Sequence, residues 1–324
     1  MTPRETADRR IRHRRAPKPF VDPWKAHGSI IESERRPDGR LERTLTIFLS
    51  GAECPFTCSF CDLWRYTIDG PTPTGALPKQ IADTLATLEP PLPDRIKLYN
   101  ASNFFDKRAV PPVDVPRIGE QCASFAGVTV ESHANTIGAS TLEFARTLAA
   151  NGSGLEIAMG LETIHPDGRA HLNKRLDLER FDAAAELLVA NDIALRVFVL
   201  LGAPYVPEDE SMEWVVRTVD YARQRGASLV SIIPMRAGNG EMERLAELGH
   251  FTPPKLADIE AVLDRCVAWS DVAITVDLWD IERFVWCDAC RARRVERLHR
   301  MNLSGRAEPA IMCDVCAPSL VAIR

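Results

Sequence analysis

The sequence has no run of 18 apolar residues, and its first 18 residues are basic and polar. A membrane-crossing helix needs about 20 apolar residues, and a secretory leader needs an apolar centre of roughly 7 to 15. The expectation is therefore a cytoplasmic protein that neither spans a membrane nor enters a secretory route. Internal repeats and low-complexity segments are also missing. So is an even, dispersed set of cysteines: the nine present are odd in number and clustered, which fits poorly with a secreted disulfide framework. In a reducing compartment, clustered thiols point to metal or redox chemistry first.

What the chain does have is enough apolar residue for a sizeable core, 45% hydrophobic against 26% charged over 324 residues, the composition of a globular protein of one to three domains. Its net charge of −5 is unevenly spread. Residues 1–18 hold seven Arg or Lys against Glu5 and Asp8, and residues 283–306 hold seven Arg against Asp288 and Glu296. An acidic body with two basic ends can meet an anionic partner locally, because screening confines such fields to about 10 Å. Solvated surface is the plainer explanation of both ends.

Residues 1–43 show no sustained periodicity and read as a basic arm. Strands are expected at 44–50, 95–100, 127–132, 154–161, 194–201, 228–233 and 272–278, each short, β-branched or continuously apolar, and bounded by turn residues. Helical windows fall near 78–88, 113–125, 140–150, 178–191, 209–225 and 254–268. In the fifth window, Met212, Val215, Val216, Val219 and Ala222 recur at spacings of three and four, one apolar stripe. Such alternation predicts an α/β fold, a parallel sheet covered by helices, either doubly wound or curled into a barrel. Ligands then belong at the carboxyl ends of the strands. The expected division is a basic arm at 1–43, a barrel at 44–280 and a small metal module at 281–324.

Just past the first of these strands, Cys54, Cys58 and Cys61 lie within eight residues. Three thiols so spaced can face one metal centre, and a [4Fe-4S] cube held by three thiolates leaves one iron open. Zinc structural sites want four ligands, usually in two pairs. Two such pairs occur near the other end, Cys287 with Cys290 and Cys313 with Cys316, separated by 22 residues. Four thiolates suit tetrahedral zinc, an auxiliary iron-sulfur cluster or a redox dithiol. Cys122 and Cys266, alone in helical windows, read as buried packing thiols.

The spacing Cys54-x3-Cys58-x2-Cys61, with the aromatic Phe60 before the third cysteine, resembles the motif of the radical S-adenosylmethionine superfamily. The strand-helix repeats over residues 44–280 resemble its partial (β/α)6 barrel. The resemblance implies that the open iron chelates the amino and carboxylate groups of S-adenosylmethionine. It also implies that one electron cleaves the sulfonium to give a 5'-deoxyadenosyl radical, which abstracts hydrogen from a substrate. A reductant protein such as flavodoxin or ferredoxin is implied as partner.

The resemblance carries further residues with it. Asn100, Ala101 and Ser102 occupy the position of the family's Gly-Gly-Glu segment without matching its residues. Glu131, His133 and Asn135 form a polar cluster at the next strand end. Gly160-Leu161-Glu162 is similar to the family's Gly-Leu-Glu segment, which makes Glu162 a cofactor-ordering candidate, with a helix cap or salt bridge as the alternative. Leu201, Pro234 and Met235 lie where the family surrounds adenosine, with core packing as the alternative for Met235. The stretch Ser231–Met235, with Gly240–Leu245 and Gly249–Pro254, resembles the Elongator-like branch and the archaeosine-forming radical enzymes within it, which implies a transfer-RNA base as substrate. A radical enzyme acting on a small metabolite or peptide remains open, as does a non-catalytic zinc protein that binds nucleic acid.

Overall fold

Apolar strand segments of four to nine residues assemble into one eight-stranded sheet whose spatial order is the chain order. The computed structural model describes residues 3–316. The strands are β1 (Gly28–Arg35), β2 (Leu41–Phe48), β3 (Arg95–Tyr99), β4 (Gly127–Glu131), β5 (Gly154–Glu162), β6 (Ala194–Leu201), β7 (Leu229–Pro234) and β8 (Ala273–Val276). β1 pairs antiparallel with β2, and every later neighbour is parallel. A sequential parallel order with helices between strands is the topology of a half-barrel, and the helices α2 (Ala76–Leu85), α3 (Val115–Gln121), α4 (Ala139–Ala149), α5 (Pro166–His171), α6 (Leu178–Val189), α7 (Ser211–Gln224), α8 (Glu241–Glu247) and α9 (Leu256–Cys266) fill those crossovers. No helix among the described residues is long and apolar enough to cross a membrane.

The principal core lies between sheet and helices. Leu45, Ile47, Ile96, Leu98, Val128, Val130, Ile157, Val197 and Val199 meet Ile81, Ile118, Phe144, Phe181, Val219 and Ile259 there. Alternate strand residues face the concave side, and near the amino ends of the strands these are charged. Glu156 of β5 accepts hydrogen bonds from Arg36 (2.9 Å), Arg196 (3.0 Å) and Thr129 (2.8 Å). Glu34 of β1 binds Arg196 through two contacts of 2.6 and 2.7 Å and Lys97 at 2.6 Å. A barrel floor closed by ions is viable because each charge has several partners. Burial alone would raise the Glu156 pKa, but Arg196 and Arg36 hold it down to about 2.

Two elements lie inside the expected arm: β1, and a helix α1 (Pro3–His13). α1 buries Ile11 and is otherwise mostly charged or polar, so the apolar periodicity that would announce it is missing. After β8 comes α10 (Arg291–Ser304), which touches both β1 and β8 and so spans the open seam of the half-barrel. Its Asn302 side chain bonds the backbone N–H and C=O of Val276 on β8 (2.9 and 2.8 Å). The arginines of this basic segment mostly face partners within the chain: Arg294 with Glu260, Arg297 with Asp264, and Arg300 with Glu308.

Candidate functional site

The loop after β2 carries the three expected thiols, and it is tied down on every side. Ala52 N donates to Thr72 Oγ1 (2.8 Å), and Ser59 N donates to Leu172 O (2.9 Å). Asn239, in the loop after β7, donates to Ser59 O (2.8 Å) while its Oδ1 caps the first amides of α8. Cys58 lies within electrostatic reach of both Cys54 and Cys61. Burial pushes the Cys61 thiol up to about 12 and the Cys58 thiol higher still, so bare thiolates are disfavoured and a metal would have to displace the protons.

A residue missed from the sequence sits beside them. Lys174 is largely shielded, its side chain 14% exposed, and although desolvation opposes its charge, its pKa is raised by Glu162 and then by Cys58. Its Nζ donates to Glu162 Oε1 at 2.7 Å and lies 6.0 Å from the Phe60 ring centroid. The pair needs the bulge at the end of β5: the register slips between Gly160 and Glu162, and Glu162 takes φ +69°. A Cβ on Gly160 would come within 2.0 Å of Glu162 Oε1 and 2.6 Å of Lys174 Nζ. Strain of this kind in a non-glycine residue is characteristic of functional positions. The chemistry of the donor set, three thiols on one loop with a half-buried ammonium at hand, fits a [4Fe-4S] cluster with one iron left for another ligand.

The remaining expected residues divide into groups. Asn100 is fully buried at the end of β3 with neither side-chain polar atom partnered among the described residues, Ala101 has φ +53°, and the Ser102 hydroxyl is likewise buried without a partner among them. His133 stacks on Phe56 (centroids 4.1 Å), its Nδ1 accepts from Asn135 N (3.1 Å) and its Nε2 meets Lys174 O at 3.0 Å. Burial and then Lys174 push its pKa down to about 3, so the imidazole is neutral. Its backbone N–H donates to Asn103, whose Nδ2 in turn donates to Cys54 Sγ at 3.3 Å. Asn135 is exposed and reaches Arg175 O. Glu131 makes no side-chain hydrogen bond among the described residues, and burial raises its pKa to about 8.

Phe60 and Met235 belong to one apolar cluster with Leu200, Ala203, Met242 and Phe251. Leu201 points the other way, into the core between sheet and helices, and Pro234 is its register partner at the end of β7.

The basic arm crosses this mouth. Asp8 of α1 accepts from Thr57, Asn173 (2.8 Å) and Arg175, while Arg10 and Arg14 meet buried Glu241 at 3.2 and 3.6 Å. α1 thus joins the cysteine loop, the loop between α5 and α6 and the start of α8.

At the other metal candidate, the Sγ atoms of Cys287, Cys290, Cys313 and Cys316 all lie within 4.8 Å of one another, with 287 to 313 at 3.9 Å and 290 to 316 at 3.5 Å. A tetrahedron with metal–sulfur bonds of about 2.3 Å has edges of about 3.8 Å. Thiolates on separate irons of a cluster are held further apart by the atoms between them. The spacing fits a single ion. Cys122 and Cys266 are fully buried in α-helical packing, as expected.

No family model matches the chain. It is 25% identical over 244 residues to archaeosine synthase subunit beta of Methanosarcina acetivorans, spanning 71% of this chain and 69% of that one. Among solved structures, its fold matches methylornithine synthase with a TM-score of 0.50 and 12% identity, covering 85% of this chain and 70% of the other. A radical SAM methyltransferase from Sphaerobacter thermophilus matches with a TM-score of 0.50 and 17% identity, covering 79% and 77%.

Proposed function

We propose, for a chain that has the fold of the radical S-adenosylmethionine superfamily, that Cys54, Cys58 and Cys61 hold a [4Fe-4S] cluster and that the protein is a radical enzyme. The observation that carries this is the largely shielded Lys174 ammonium, paired with Glu162, beside three half-buried thiols on the loop after β2. A cluster bound there would supply one low-potential electron for reductive cleavage of S-adenosylmethionine, with methionine released, the chemistry that opens hydrogen-atom abstraction from a substrate.

The chain's own residues set the conditions for that chemistry. Lys174 offsets the negative charge of thiolates in a site where water cannot, and Glu162 fixes its position. Asn100 and Ser102 present buried polar atoms that lack partners among the described residues, the kind of group that hydrogen-bonds a polar cofactor. Phe60, Leu200 and Met235 form an apolar wall against which a purine packs. His133, held neutral, orders the loop through Phe56 and Asn103 rather than moving protons.

As substrate we propose a base of transfer RNA, supported by the relative's name as an archaeosine synthase subunit. As electron source we propose a flavodoxin or ferredoxin. In the Cys287–Cys316 module we propose a single zinc ion, supported by the sulfur spacing. The test is anaerobic reconstitution with dithionite and S-adenosylmethionine. It should give about four irons and one zinc per chain, and 5'-deoxyadenosine. Cys58→Ala should abolish the nucleoside product; turnover that survives this change overturns the reading.

A further inference from the structure

The cysteine loop and residues 12–18 border an open cavity of 440 Å³, with Cys54 on its wall. Four cationic side chains line it: Arg12, Arg15, Lys18 and Arg108. Two acids, Glu53 and Asp69, also line it, and they are already engaged. Arg15 meets Glu53 at 2.6 Å, and Lys18 meets Asp69 at 3.2 Å and Glu53 at 3.6 Å. The guanidinium groups of Arg12 and Arg108 have no ion pair or hydrogen bond among the described residues. The cavity therefore carries two cations in excess.

Its wall also contains donors that have no acceptor among the described residues. Trp64 lines the cavity and is 4% exposed, yet its indole Nε1 has no acceptor. Arg15 Nε is likewise buried and unpartnered, and the Arg15 guanidinium is fixed over the Trp64 ring at 4.9 Å. A buried donor left unpaired is costly, so such groups mark places where an acceptor belongs. Two orphaned donors beside two unpaired guanidinium groups call for a compact anion with several acceptor oxygens. Size favours more than a bare ion, because 440 Å³ lies in the range that takes a small organic ligand. The concave shape and buried donors favour a small anion over the flat face of an acidic protein.

We propose that this cavity is a phosphate site, with Arg12 and Arg108 as its charged arms and Trp64 Nε1 and Arg15 Nε as its buried donors. Inorganic phosphate, a nucleotide and the phosphodiester of a polynucleotide share the chemistry. The assignment does not depend on radical chemistry, since none of these four residues is a proposed metal ligand. Because Cys54 lines the same cavity, an occupant would contact the cysteine loop directly.

The test uses the full chain at constant ionic strength, titrated with inorganic phosphate, a nucleoside monophosphate and a 5'-phosphorylated single-stranded oligonucleotide. Calorimetry gives affinity and tryptophan emission reports location. A saturable emission change is expected that Trp64→Phe removes. The Arg12→Ala/Arg108→Ala double variant, altered only at exposed positions, should keep its melting temperature and lose about tenfold or more in affinity. Tighter binding of the oligonucleotide than of the mononucleotide, with a salt slope reduced by about 0.7 in the double variant, assigns the phosphate to a polynucleotide. Equal affinities assign it to a free nucleotide. No saturable response to any of the three overturns the proposal, and so does binding that the double variant leaves unchanged. An acidic protein that binds in an Arg12- and Arg108-dependent way, when no phosphate compound does, also overturns it.

Discussion

Glu156→Gln tests the ionic floor of the half-barrel. The substitution keeps the volume and most of the hydrogen-bonding capacity of a fully buried side chain and removes only its charge. Arg196 then retains Glu34, while Arg36 is left with its longer contacts to Glu34 (3.5 Å) and Glu42 (3.6 Å). Breaking a buried pair from one side costs about 3 to 5 kcal/mol. The depression of the Glu156 pKa from 4.5 to about 2 corresponds to about 3 kcal/mol, so the two routes agree.

Differential scanning calorimetry should show a fall of about 4 to 7 °C, whereas Glu213→Gln, in an exposed pair with Arg217 and Arg265, should move little. Because the folded-state pKa lies below the unfolded one, the carboxylate's contribution is fully present above about pH 4.5 and disappears as pH falls toward 2. The gap between wild type and variant should close over that window. A variant within about 0.5 kcal/mol of wild type at pH 7 refutes the reasoning, as does a gap that does not change with pH.

Lys174→Met should reduce iron incorporation, read as loss of the broad visible absorbance after reconstitution, and should lower the melting temperature by leaving Glu162 buried without its partner. Adding Glu162→Gln should restore stability but not iron. Cys290→Ser should take the zinc content from about one per chain toward zero and speed proteolysis of residues 287–316, since a structural zinc contributes folding energy directly. Asp8→Ala should speed proteolytic cleavage within residues 5–18 with only a small change in melting temperature, because the contacts it removes anchor a surface helix.

The parallel strands were legible because apolar runs between turn residues specify buried strands, and their observed bounds fall within about three residues of expectation. β1 was not legible: its residues GSIIESER mix charge with exposed apolar positions, and only pairing with β2 makes them a strand. The floor network left a signal in the sequence, a single charge inside each of three apolar strands (Lys97, Glu156, Arg196), whose meaning appears only when the sheet curls and brings them together. The triple-cysteine loop was readable from spacing alone. Lys174 was not, because its place depends on the left-handed backbone at Asn173 and Arg175 and on the bulge before Glu162. The basic segments were visible as charge, but their internal partners, Glu241 for α1 and Glu260, Asp264 and Glu308 for α10, are distant in sequence.

The seam helix has a consequence for the order in which the molecule is made. β8 is an edge strand, and edges with free backbone groups invite pairing with other chains. Here the amide of Asn302 stands in for a neighbouring strand by answering both the N–H and the C=O of Val276. That protection arrives only after the whole sheet has been synthesised, since α10 follows β8 in the chain. Until then the curled sheet has an unguarded edge. Under the proposed zinc assignment for the four cysteines flanking α10, docking of that helix becomes a metal-dependent step, and zinc supply would govern how long the nascent half-barrel remains open to aggregation.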